Sequence, residues 1–230
     1  MTESIGAIVL AAGSSTRLGR PKQFLVYRGQ PLVLRAVEAA TKAGCAPIIV
    51  VAGRDTDSII ETLAGSQATV VHNRDWEQGM GTSIRVGIET LMDETPDFAA
   101  VLLMVCDQPF VHENHLRLLI ETRSRQKNRA TIIASSYCET LGTPALFDRS
   151  FTQDLRSLVP GKGARPLLQA HRSETISIPF AEGGFDVDTP EDYQQLLRMP
   201  FGKAVFGGLG RDHAKPREVV AQQIFGQDEE

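Results

Sequence analysis

At 230 residues the chain is long enough for one large domain or two small ones, with a substantial buried core. Its 42% hydrophobic and 23% charged residues exclude wholesale disorder. A formal net charge of −4 argues against a general nucleic-acid binder, so any phosphate binding must be local.

No apolar run approaches the roughly 20 residues that span a bilayer, and the Met1-Thr2-Glu3-Ser4 start lacks a basic leader. Cys45, Cys106 and Cys138 are spaced neither as a disulfide framework nor as a zinc site. No membrane partner and a reducing, cytoplasmic location are expected.

In chain order, residues 5–11 are a continuous apolar run rich in β-branched side chains, the pattern of a strand buried on both faces. A polar, glycine-containing loop follows, through Lys22. Residues 31–43 read as a helix with Pro31 in its first turn and Gly44 just past its end. Residues 47–52 and 68–71 read as further strands, with a short helix at 56–63 between them. The helix at 83–91 is approached through Gly79-Met80-Gly81-Thr82, and 99–106 is the strongest strand pattern in the chain, followed by a helix at 114–126. Residues 131–137 and 144–147 read as strands around a turn at Gly142, with two short helices between 148 and 170 and a late strand at 175–178. Thr189-Pro190-Glu191-Asp192 opens the last clear helix, with a capping hydroxyl, a proline in the first turn and acidic residues near the positive helix end.

Strands alternating with helices predict a mostly parallel sheet covered on both faces, with ligands beyond the carboxyl ends of the strands. The loops after Ala11, Ala52, Val71 and Cys106 then share one rim, which brings Gly53 and Asn73 to it as nucleotide-binding candidates. Residues 1–199 are expected to form a single domain. Residues 200–230 change character, with Gly207-Gly208 and an acidic end, and read as a tail of unknown role with a helix around 217–224.

The loop Leu10-Ala11-Ala12-Gly13-Ser14-Ser15-Thr16-Arg17-Leu18-Gly19-Arg20-Pro21-Lys22 lacks the Gly-Lys-Ser/Thr ending of a P-loop and the G-x-G-x-x-G of a dinucleotide fold. Its small residues still allow close backbone approach, and successive N–H groups can cradle phosphate oxygens. Arg17 and Lys22 add charges suited to a triphosphate and to a departing pyrophosphate. The competing reading is a solvated basic loop, and three cations beside small residues at a buried strand's exit weigh against it.

Asp107 ends the strongest strand, a good place for a Mg²⁺ that bridges phosphate oxygens, though alone it reads equally as a turn or capping aspartate. Asp186 and Asp188 alternate on one face of an extended segment. They too read alone as part of a helix start. Together with the basic loop, these acids make a coherent metal–triphosphate site.

Five segments in order carry a resemblance. They are the Leu-Ala-Ala-Gly-x-Ser-x-Arg-x-Gly-x-x-Lys loop, Gln78-Gly79-Met80-Gly81-Thr82-Ser83-Ile84-Arg85 after His72-Asn73, Val105-Cys106-Asp107-Gln108-Pro109, Gly142-Thr143-Pro144-Ala145-Leu146-Phe147, and Asp186-Val187-Asp188-Thr189-Pro190-Glu191-Asp192. The chain resembles the molybdenum cofactor cytidylyltransferases over about residues 5–197. The resemblance implies a Rossmann-like three-layer α/β/α fold of the nucleotide-diphospho-sugar transferase type.

It further implies that Leu10, Ala11, Ala12 and Gly13 line the nucleotide. Arg17 and Lys22 would hold its phosphates, and Gly79 to Ser83 would lie near base and ribose. Asp107, Asp188 and Asp186 would hold Mg²⁺, with Arg17, Lys22 and Asp107 as the catalytic set. The reaction implied is direct attack of a terminal phosphate of molybdopterin on the α-phosphate of CTP, and a molybdoenzyme client is a further partner it suggests. Ala12 favours cytidylyl over guanylyl transfer, because relatives that transfer guanylyl tend to carry Ala-Gly-Gly there. Cys106 departs from the family's usual glycine: it narrows the room for a ligand, or it is an inert buried thiol.

Pro21-Lys22-Gln23-Phe24-Leu25 also resembles the methylerythritol phosphate cytidylyltransferases, whose Asp-Ala-Ala-Arg-Pro-like motif is replaced here by Cys106-Asp107-Gln108-Pro109. Guanylyl transfer to the same molybdenum cofactor ranks third, and a non-catalytic cofactor-binding chaperone is a rival of another class. His112 and His115 read as a polar helix start, the run Arg123, Arg125, Lys127 and Arg129 as a solvated helix end, and Ser14, Ser15 and Thr16 as too far from any base to be nucleophiles.

Overall fold

The computed structural model describes residues 3–126 and 131–199. The tail 200–230 with its expected helix at 217–224, and Lys127 and Arg129 of the basic run, lie outside the described residues.

Strands and helices alternate along the described chain. The order is β1 (Ile5–Ala11), β2 (Val26–Tyr27), β3 (Gln30–Pro31), α1 (Leu32–Lys42), β4 (Ile48–Ala52), α2 (Thr56–Thr62), β5 (Ala68–His72), α3 (Met80–Glu94), β6 (Ala100–Val105) and α4 (Glu113–Ser124). It continues with β7 (Ile132–Tyr137), β8 (Thr140–Asp148), α5 (Thr152–Arg156), α6 (Arg165–Ala170), β9 (Thr175–Pro179) and α7 (Pro190–Arg198). Seven strands form one sheet in the order β5-β4-β1-β6-β8-β7-β9, while β2 and β3 pair separately. Strand β1 is central and runs parallel to β4 and β6, with Ala11 beside Ala52 and Leu10 beside Val105. Strand β8 runs antiparallel to both β6 and β7, and β9 runs parallel to β7.

The alternation along β1 explains the three layers. Ala7, Val9 and Ala11 join Val33, Val37 and Ala40 of α1, Ile59 of α2 and Leu116 and Leu119 of α4 on one face. Ile8 and Leu10 join Ile84, Ile88 and Leu91 of α3 and Leu167 and Leu168 of α6 on the other. Burial of each large aliphatic side chain stabilises by about 1.5–3 kcal/mol, so a strand apolar on both faces belongs between two helical layers. Helix α3 sits close to the sheet because Gly87 carries no side chain: a Cβ there would lie 2.7 Å from Ile8 Cγ2.

A third, smaller cluster positions the site. Leu18 of the first loop, Tyr27, Leu32, Val187 and Leu196 pack together, with Phe110 and Phe185 against them. The polar side of that segment is fixed by a capping box: Thr189 Oγ1 accepts from the Asp192 amide at 3.1 Å, and Asp192 Oδ2 accepts from the Thr189 amide at 2.8 Å.

Three expectations need correction. The β7–β8 turn lies at Cys138 and Glu139, both at positive φ, as a two-residue hairpin twist demands. Gly142 is instead inside β8, where a side chain would overlap the Tyr137 hydroxyl. The short β2–β3 hairpin, turning through Arg28 and Gly29 at positive φ, has no periodic signal and places Pro31 ahead of α1 as its N-cap. Arg123 is not on a solvated face: its side chain is 12% exposed, donating to Asp148 Oδ1 at 3.0 Å and to Glu3 Oε2. Buried charge of this kind persists only when paired. Among the described residues no helix is long and apolar enough to cross a membrane.

Candidate active site

The carboxyl ends of β1, β4, β5 and β6 open onto a cleft of about 540 Å³. Leu10, Ala12, Gly13, Lys22, Gly79, Ser83 and Asp107 line it. The first loop is folded by its own side chains. Ser15 adopts a positive φ of 51°, its carbonyl accepts from the Leu18 and Gly19 amides at 3.1 Å each, and its Oγ accepts from the Lys22 amide at 3.0 Å. Ser15 therefore braces the loop and turns Lys22 back into the cleft. Gly13 leaves the lysine room, since a Cβ there would stand 3.3 Å from Lys22 Cε.

Lys22 is the centre of the charge arrangement. Its Nζ donates to Asp107 Oδ2 and, at 3.1 Å, to Asp188 Oδ1, with both the lysine and Asp107 largely buried. Burial alone would lower the lysine's pKa, but the charge of Asp107, its hydrogen bond, and the nearby Cys106 and Asp188 raise it, so Nζ stays protonated. Arg17 extends from the loop largely in solvent and donates to Asp188 Oδ2 at 2.6 Å. Burial tends to raise the Asp188 pKa, yet Lys22 and Arg17 hold it below the usual carboxylate range.

Asp186 lies on the same side of its segment as Asp188, at the exposed rim. Crowding of its carboxyl by protein, then the negative charges of Asp107 and Asp188, push its pKa up to about 7, against the opposing pull of Lys22 and a Gln108 hydrogen bond. In the alternation of Asp186, Val187 and Asp188, Val187 is fully buried while Asp188 reaches Lys22 and Asp186 lies near enough to Asp107 and Asp188 for their charges to act on it.

Asp107 Oδ1 is buried and has no protein partner, a position suited to a cation or a ligand donor. Among the described residues no group of three or more His, Cys, Asp or Glu side chains could hold a metal by itself. Two carboxylates with the remaining positions left to water and phosphate is the pattern Mg²⁺ favours, so the residues present fit that ion.

The remaining candidates divide between the cleft wall and the scaffold beneath it. Ala11 turns its methyl into the core on the α1 face, as the side-chain alternation of β1 requires. Asn73 is 1% exposed and serves the scaffold: its Nδ2 donates to Thr82 Oγ1 at 2.8 Å and Ser83 Oγ at 3.0 Å, and its Oδ1 accepts from the Asp75 amide at 3.0 Å. Gly53 faces Trp76 and the Ala12 carbonyl; a Cβ would come within 2.9 Å of the indole. Gly79 has φ 110° and a Cβ would stand 2.8 Å from the Pro160 carbonyl, so glycine is required there to start α3.

Gln108 is buried and holds the far wall, its Nε2 donating to the Gly183 carbonyl at 2.8 Å and to Tyr137 Oη at 3.3 Å. Cys106 is 3% exposed, and burial pushes its thiol up to about 12, so no thiolate is available near neutral pH. His115 lies away from the cleft, stacked on Phe180 at 4.0 Å with Nε2 2.8 Å from Ser135 Oγ. Sequence reasoning missed Trp76 and Arg54, which also line the cleft beside Met80. The available signal was the chain's single tryptophan, just ahead of the glycine-rich start of α3.

A model of the family described as MobA-like NTP transferase domain matches residues 7–175. Nicotine blue oxidoreductase of Paenarthrobacter nicotinovorans is 30% identical over 84% of this chain and 96% of its own length. The crystal structure of Rv0371c from Mycobacterium tuberculosis H37Rv is 31% identical with a TM-score of 0.72, covering 86% of this chain and 100% of that one. The manganese complex of the same protein is 29% identical, with a TM-score of 0.68 over 84% and 98% of the two chains. Molybdopterin-guanine dinucleotide biosynthesis protein A from Archaeoglobus fulgidus shares the fold at 16% identity, with a TM-score of 0.61 over 84% and 96% of the chains.

Proposed function

The chain belongs to the MobA-like NTP transferase family, and from that membership we propose that it transfers CMP from CTP to the terminal phosphate of molybdopterin or the molybdenum cofactor, releasing pyrophosphate. The observation that carries this reading is the Lys22–Asp107–Asp188 cluster set beside the small residues Ala12 and Gly13 at the exit of the central strand. It joins a fixed cation, two carboxylates and close backbone access within one cleft.

Asp107 and Asp188, with Asp186 beside them, are the residues that would hold Mg²⁺. When bound, the ion would supply positive charge to the triphosphate oxygens. Lys22 remains protonated and is braced through Ser15, so it presents a preorganised charge to the phosphates. Arg17, long and solvent-exposed beside Asp188, would meet the pyrophosphate as negative charge develops.

Among the described residues lining the cleft there is no histidine, and the Cys106 thiol is neutral. This supports direct in-line attack by an acceptor that is already an anion, with no covalent enzyme intermediate. Catalysis is then a matter of positioning and electrostatics. The choice of cytosine rests on Ala12, and that of the acceptor on the ordered motifs around Asp107, Gly142 and Asp188.

The test is a matrix of CTP, GTP, UTP and ATP against molybdenum cofactor and methylerythritol phosphate, with Mg²⁺, scored by pyrophosphate release. A strong signal is expected from CTP with molybdenum cofactor alone. Release with GTP or with methylerythritol phosphate would replace the donor or the acceptor named here.

A further inference from the structure

The order β4-β1-β6 gives the cleft a direction. Asp107 lies beyond β6 on one side of the first loop, while Gly53 and Arg54 lie beyond β4 on the other, two strand spacings or about 10 Å away. The β6 side carries the buried Lys22–Asp107 pair. The β4 side carries Trp76, the only aromatic among the described residues lining the cleft and the only tryptophan in the chain.

The indole is held firmly. It packs against Gly53, where any side chain would collide with it, and the Arg54 guanidinium lies over the ring at 5.8 Å. The chain is tied down at the residue before it and at Trp76 itself: Asn73 Oδ1 accepts from the Asp75 amide, Gln78 Nε2 donates to Asp75 Oδ1 at 2.9 Å, Thr82 Oγ1 donates to the Asp75 carbonyl at 3.0 Å, and the Trp76 carbonyl accepts from the Gly79 amide at 3.1 Å. A half-buried indole held at the β4 end of the cleft, across the first loop from the Lys22–Asp107 pair, is a stacking surface, with little left to order when a planar ligand arrives.

We propose that Trp76 is the platform against which the base of the donor nucleotide stacks. This rests on reading the cleft as a nucleoside triphosphate site. Stacking tolerates any base, because each has a π-face, so Trp76 sets nucleotide affinity while the base is chosen by other groups.

The full chain is titrated with CTP, GTP and inorganic tripolyphosphate in the presence of Mg²⁺, by calorimetry and by tryptophan emission, alongside Trp76→Ala and Trp76→Phe. CTP is expected to change the emission in step with the calorimetric isotherm. Trp76→Ala should weaken CTP about tenfold or more, and Trp76→Phe much less. Tripolyphosphate affinity and the preference between CTP and GTP should stay unchanged in both variants. Wild-type CTP affinity in Trp76→Ala would overturn the platform and leave the nucleotide site standing. Equal losses for CTP and tripolyphosphate, or an altered base preference, would also overturn it. A wild-type chain that binds neither ligand would overturn both the platform and the site.

Discussion

The Val187 amide donates to the Asp107 carbonyl at 3.0 Å, locking the segment that carries Asp186 and Asp188 against the end of β6. Through this bond two carboxylates distant in sequence converge on the same lysine, and the cluster's behaviour can be predicted from it.

Lys22→Met should abolish pyrophosphate release, by about 10²–10³-fold or more if its charge acts as a fixed phosphate donor. It should also lower stability, since removing one partner of a buried pair leaves Asp107 uncompensated, at a cost of up to about 3–5 kcal/mol. Adding Asp107→Asn to that variant should recover much of the stability and none of the turnover. Urea denaturation beside the pyrophosphate assay separates the two effects.

Arg17→Ala should lower turnover sharply while changing stability by less than about 1 kcal/mol, because its pairing with Asp188 is exposed to solvent. Unchanged turnover would remove Arg17 from the phosphate-binding set.

His115 gives a pH signature unrelated to the cleft. Burial, then the neighbouring His112, lowers its pKa from 6.5 to about 4. Between those values the unfolded chain holds the proton and the native chain resists it, so the stability this group contributes is present above 6.5 and is lost as pH falls through 4. Wild type should lose up to about 3 kcal/mol across that window relative to His115→Gln, which cannot titrate. Denaturation midpoints measured at intervals from pH 7 to 4 would reveal a constant gap if the ring were instead freely solvated.

Thr189→Ala removes the oxygen that accepts the Asp192 amide, and should cost about 1 kcal/mol. Asp192 Oδ2 also accepts from the Asp188 amide at 3.1 Å, so the loosened turn should lower turnover as well. A shifted urea midpoint with an unchanged slope, and a reduced rate with native-like CTP affinity, is the expected pair of results.

Much of the fold was legible along the chain because strand and helix periodicity is local. The run at β1 and the Pro and Gly signals around α1 are propensities acting over a few residues, and they place the first loop at the sheet's rim. Asp186 and Asp188 share a face for the same local reason. Pairing is different. Nothing near Lys22 in sequence announces that its partners are Asp107 and Asp188, far along the chain. Trp76 opens a three-residue 3-10 turn, too short for any period to report which way an aromatic ring faces. Gly142 misled because glycine serves close packing as readily as turning, and here it makes room for Tyr137.

The late position of Asp188 has a consequence for synthesis. The phosphate cradle, the cleft wall and the sheet strands all precede Asp186 and Asp188, and the capping box that steadies Asp188 comes last of all. Chemistry would begin only once the start of α7 has left the exit tunnel and docked. Incomplete products of translation, or of proteolysis ahead of Phe185, would lack Asp186, Asp188 and the Val187 and Leu196 packing against Leu18 of the first loop, and are expected to be silent as transferases.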